Sequence, residues 1–166
     1  MKRLLLSLVV TLCSVFAWGQ ALSVVDIGNK CLTKNNFAAA KQVFYDNALY
    51  PAANETSTIY VVSLGEDSYT ACMAAINAST NKTIKNVTFL IGEYYQDRLI
   101  SDLKAYGYKY HSKQYVTLGN GARVPQTTYA NGTKRCMIQT IDGGLKISFS
   151  NVNPLLQSNV NRRYAI

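Results

Sequence analysis

Hydrophobic and polar positions alternate most regularly near the end of the chain, where Leu145, Ile147 and Phe149 are separated by Lys146 and Ser148. A period of two sends successive side chains to opposite faces of a pleated strand, so this segment reads as a half-buried strand. Thr83 to Ile91 has the same pattern, with Val87, Phe89 and Ile91 set against Asn86, Thr88 and Leu90. Thr56 to Leu64 is rich in β-branched and aromatic residues and runs into Gly65-Glu66-Asp67, the composition of a strand closed by a turn. Tyr108 to Leu118 and Lys134 to Ile141 read as two more strands. A Gly119-Asn120-Gly121 turn follows the first, and Asp142-Gly143-Gly144 follows the second. Ser68 to Asn77 suits either a strand or a helix capped by Asp67.

Two segments carry a helical period. Asn35 or Asn36 caps a helix running to about Asn47, with Phe37, Ala40, Phe44 and Ala48 as a stripe interrupted by Lys41. Tyr50-Pro51 ends it, because the residue before a proline is pushed out of helical geometry. Glu93 to Tyr106 places Leu99, Leu103 and Tyr106 inward, with Glu93 and Asp97 near the positive helix start and Gly107 as a left-handed stop. Gln20 to Asn36 has only scattered apolar residues. Asn151 onward is a polar tail interrupted by Pro154.

Residues 35–92 and 93–150 share one order of elements. Cys72-Met73 in the first corresponds to Cys136-Met137 in the second, and VTFLIG to KISFSN, each closing its half. The match predicts two tandem helix-plus-three-strand repeats and makes Ser68–Asn77 a strand. The expected fold class is α+β: an antiparallel sheet of about six strands with two helices on one face. This tandem plan is similar in architecture to that of the β-lactamase inhibitory proteins. The likeness rests on no specific motif, so no residue or function is carried over.

The N-terminus changes the compartment. Lys2 and Arg3 precede an apolar run from Leu4 to Phe16, and Ala17 and Gly19 form a small-residue site before Gln20. That is the build of a cleavable signal peptide over residues 1–19, followed by a single domain over 20–166. The run is shorter than the ~20 apolar residues that span a bilayer, and no later segment reads as a transmembrane helix. Leu12 is too large to precede a lipidated cysteine at Cys13. The exported chain is expected to be periplasmic or secreted.

Export alters charge and cysteine arithmetic. Of 17 Lys and Arg, Lys2 and Arg3 leave with the signal, so 15 face 9 Asp and Glu for a net charge of +6. The charge is scattered, with Lys134-Arg135 and Arg162-Arg163 as the basic pairs, which argues against nucleic-acid binding. Cys31, Cys72 and Cys136 remain, an odd number that allows at most one internal disulfide. Their spacing fits no zinc motif, and with one histidine, His111, neither a metal nor another cofactor is expected. Asn-x-Ser/Thr triplets begin at Asn54, Asn77, Asn81, Asn86 and Asn131. In a chain whose signal looks bacterial they read as turn and strand residues rather than glycan acceptors.

Catalytic chemistry has little to draw on. His111 lies between Tyr110 and Ser112 in a Lys-flanked strand, and no cysteine has a recognisable nucleophile context. A carboxylate pair is an alternative, though none is marked among residues that otherwise suit caps and turns. Tyrosine stands out, with 12 in the chain. Tyr108, Tyr110 and Tyr115, interleaved with Lys109 and Lys113, mix aromatic area with polar tips as binding surfaces do. A continuous strand would put Tyr108 and Tyr110 on one face. The expectation is an exported, non-catalytic binding protein of the bacterial envelope meeting a protein or glycan through these residues. A small enzyme using a carboxylate pair or His111, or a structural envelope component, is the alternative.

Overall fold

The computed structural model describes residues 23–51, 56, 58–63 and 73–152. Residues 1–22, on which the expected signal peptide falls, Cys72 and the tail beyond Val152 lie outside the described residues, as does the first half of the Ser68–Asn77 segment; its second half, from Met73, is a strand. Within them the fold is mixed α+β, with a multi-stranded antiparallel sheet and helices on one face. The elements are α1 (Val24–Lys34), α2 (Phe37–Asp46), β1 (Ile59–Ser63), β2 (Met73–Ala78), β3 (Ile84–Gly92), a 3-10 turn (Glu93–Tyr95), α3 (Gln96–Ala105), β4 (Lys109–Thr117), β5 (Arg123–Asn131), β6 (Lys134–Ile141) and β7 (Gly144–Asn151). The sheet order is β1-β2-β3-β7-β6-β5-β4, with every neighbouring pair antiparallel.

Three helices and seven strands among the described residues correct the expected two and about six. The additional helix is α1. Its Ser23 cap accepts a hydrogen bond from the Val25 N–H at 3.2 Å, and Asp26 sits in the first turn. One face, including Val24, Ile27, Gly28, Cys31 and Leu32, is buried. The additional strand is β5. Pro125 and the polar stretch around it obscured the pattern, yet Gln126 and Thr128 are buried there.

The core is best read along a row that crosses the whole sheet. Register places Tyr60, Ile76, Val87, Phe149, Cys136, Tyr129 and Tyr110 opposite one another from β1 to β4. Directly opposed residues share a face, and here it is the helix-covered one. The first five side chains are 0% exposed, Tyr129 is half-buried, and Tyr110 is 63% exposed. The helices cover this row from β1 to β6 and leave its β4 end exposed. Phe44 of α2 meets Tyr60 edge-on at 5.7 Å, and Phe89 meets Phe149 at 6.0 Å. Such offset ring pairs add to area burial.

Gly28 sets the closest approach of α1 to the sheet. A Cβ there would lie 2.5 Å from the Phe149 ring, so only glycine allows this contact without rearrangement. α2 follows expectation: Asn36 caps it through Ala38 and Ala39, and Phe37, Ala40, Val43 and Phe44 are buried. Ala48 lies past the helix end and is exposed; Leu49 takes the inward place. Lys41 belongs on the apolar stripe because its ammonium lies 5.8 Å from the Phe37 ring centroid and 5.3 Å from that of Tyr60.

Candidate binding surface on the β4 edge

β4 is the outermost strand on its side of the sheet among the described residues, and only Ser112 and Val116 are shielded even partly. Its register with β5 shifts between Tyr110 and Ser112, so His111 is the extra residue of a β-bulge. This bulge governs the face. Tyr110 opposes Tyr129, Lys113 opposes Thr127, and Tyr115 opposes Pro125. Those three partners alternate along β5 and share the helix-side face. Tyr110, Lys113 and Tyr115 therefore share it too, although an unbulged strand would put Tyr110 opposite in direction to the other two.

The two exposed rings are held rather than loose. Tyr110 meets Tyr129 edge-on, centroids 6.2 Å apart, and the Arg123 guanidinium lies 5.2 Å from the centroid of Tyr115. Tyr115 is 62% exposed. Between the rings, Lys113 borders a shallow recess of about 120 Å³ shared with Gln96 and Ile100 of α3 and with Pro125, Thr127 and Tyr129 of β5. Burial raises the Tyr129 hydroxyl above its ordinary titration range, which keeps it a neutral donor and acceptor beside that recess. Lys109 is exposed and pairs with Ala130, pointing to the other face.

Tyr108 departs from the expected set. It is 2% exposed, packs edge-on against Phe149 at 6.3 Å, and donates its hydroxyl to Asn29 Oδ1 at 2.9 Å. Tyr108 and Tyr110 do lie on one side of the sheet, but α1 covers the first and not the second. Burial pushes the Tyr108 hydroxyl well above the usual tyrosine range. Tyr106 is also corrected: it is exposed at the end of α3, and its hydroxyl donates to Asp26 at 2.7 Å instead of packing inward with Leu99 and Leu103. That hydrogen bond is the main reason its hydroxyl is pushed up to about 12.

The open face offers a second concavity. Met73 and Leu90 on β2 and β3 share a cavity of about 530 Å³ with Leu118, Ala122 and Val124 at the β4–β5 hairpin. In a flat sheet β2 and β5 would be four strand spacings, about 19 Å, apart. The shared cavity thus requires the sheet to curl toward its open side. On the same face Gln139 donates to Gln126 Oε1 at 2.8 Å.

The groups considered for chemistry are dispersed. His111 is exposed on the bulge. Cys31 and Cys136 are free and buried; burial raises the Cys31 thiol to about 12 and the Cys136 thiol further, so both stay protonated. No cluster of three His, Cys, Asp or Glu able to hold a metal occurs among the described residues. No helix among them is long and apolar enough to cross a membrane. Comparison with family models, curated proteins and solved structures finds no match to this chain.

Proposed function

We propose that the chain is an exported, non-catalytic binding protein of the bacterial envelope, and that it meets a protein partner through the β4 edge. The observation that supports this reading most is the bulge at His111. It gathers Tyr110, Lys113 and Tyr115 on one exposed face beside an outer strand nine residues long. An outer strand can accept an extended segment by main-chain pairing, and rings beside it supply area and polar tips. Lys109 and Lys113 favour an acidic segment and discourage pairing with a second β4, whose own lysines would repel them. A glycan would use the rings but leave the strand's main chain idle, so the protein reading is preferred.

A duplication also fits the sheet order, with β5 taking the place expected of Tyr108–Leu118. The two halves are then copies of one unit, α2-β1-β2-β3 and α3-β5-β6-β7, meeting where β3 pairs with β7. β4 then stands outside the duplicated plan as an addition to one edge. Capture from envelope extract tests the function: wild type should retain a discrete partner that a Tyr110→Ala/Tyr115→Ala double variant of unchanged folding does not. Equal retention by both proteins would count against the β4 edge.

A further inference from the structure

The open face of the sheet changes character toward one end. Its middle row reads Ala75, Thr88, Ser148, Met137 and Thr128 from β2 to β5, mostly small or polar side chains, as suits a face turned to water. The next row begins Met73, Leu90 and Lys146, and Ile141 follows half-buried on β6. These side chains gather around the cavity of about 530 Å³ that the curl of the sheet encloses. Met73 and Leu90 form one wall, Leu118, Ala122 and Val124 the other, with Ile141 on the intervening β6. Met73 is 42% exposed, so the apolar lining is open to solvent rather than used up by the core. A strand-built, mainly apolar concavity of this volume has the usual form of a small-molecule site. Apolar area gathered in one place, unlike residues scattered singly, marks a surface that binds.

Lys146 sets the head group of the ligand. It stands within β7, opposed by Leu90 on one side and Gln139 on the other, and it is half-buried. Its stem therefore joins the apolar lining while its ammonium turns to the mouth. It forms no ion pair among the described residues. Asp142, the carboxylate at the rim, is exposed on the β6–β7 turn and does not engage it. A cation set among apolar side chains and left without a partner favours an anion that brings apolar surface of its own. We infer that the open-face cavity binds a single-chain anionic amphiphile of the fatty-acid class. The alkyl chain lies between the two apolar walls, and the carboxylate meets Lys146. The site is on the face opposite Tyr110 and Tyr115, so it stands whether or not β4 pairs with a partner.

Calorimetric titration of the exported protein with octanoate, decanoate and dodecanoate, each below its micelle concentration, tests the assignment. Every added pair of methylenes should tighten binding by about tenfold until the cavity is filled. Decyltrimethylammonium, with a similar tail and the opposite charge, should bind about tenfold more weakly than decanoate. Lys146→Gln should abolish that preference, and the comparison of the two head groups on wild type decides it if the variant does not fold. Ala122→Trp, at an exposed position of the lining, should fill the cavity and weaken decanoate by about tenfold or more without moving the unfolding midpoint. Absence of saturable decanoate binding, affinity independent of chain length, equal binding of the two head groups, or decanoate binding untouched by Ala122→Trp would each overturn the assignment. Retention by phosphatidylglycerol vesicles without decanoate binding would overturn it too, in favour of a membrane surface.

Discussion

The Tyr108 hydroxyl donates to Asn29 Oδ1 at 2.9 Å, joining the residue before β4 to the middle of α1 across 79 positions of sequence. The bond anchors the inner end of the β4 segment under α1, while the strand itself runs out past the helices. Removing the hydroxyl would leave both polar atoms of the Asn29 side chain unmatched. Tyr108→Phe should therefore destabilise the protein by about 1–3 kcal/mol, and Tyr108→Ala by about 3 kcal/mol or more. Tyr110→Ala should leave the urea midpoint nearly unchanged. Equal losses at both positions would show that burial is misassigned between them.

Gly28 gives a second test of how α1 is seated. Gly28→Ala would raise helix propensity, yet its methyl meets the Phe149 ring, which is itself enclosed by the core. Overpacking should win, with a net loss of about 1–3 kcal/mol in denaturant unfolding. A stabilised variant would mean that α1 does not sit against β7.

Alkaline conditions should weaken the fold. The Cys31 thiol is raised from 9.0 to about 12 by burial, and Cys136 and Tyr108 are raised for the same first reason. A group raised in the folded state contributes fully below its unfolded value and loses that contribution as pH climbs toward the folded one. The urea midpoint should hold below about pH 9 and fall steadily above it. Cys31→Ala should make the fall shallower. A midpoint flat to about pH 11 would contradict the burial of these groups.

Much of this architecture is legible in the sequence, and the exceptions have physical reasons. β3 and β7 are found because Val87, Phe89 and Ile91, and Leu145, Ile147 and Phe149, lie between a covered and an open face, the condition for clean alternation. α1 is hidden because Gly28 and Cys31 occupy its buried stripe, two residues that carry little apolar signal. β5 is hidden because the side chains it buries on the open face, Gln126 and Thr128, are polar, Gln126 being matched by the Gln139 amide. For the candidate site, Tyr110, Lys113 and Tyr115 could be named from composition, but their common face depends on the His111 bulge, a register shift with no local signature. Tyr108 differs from Tyr110 only in what a distant helix covers.

The proposed export has its own readout. The mature protein should begin at or near Gln20, which mass spectrometry of the exported product would show. Trp18 leaves with the signal, so the product should emit tyrosine fluorescence alone. An intact Met1 or a lipid on Cys13 would defeat the proposal.

Amide hydrogen exchange across residues 109–117, with and without the captured partner, tests the binding role most directly. Main-chain pairing along β4 should slow exchange of its outward-facing amides, while β1, on the far side of the sheet, stays as it was. Slowed exchange confined to β1 or to the helices, with β4 unchanged, would contradict a partner seated on the β4 edge.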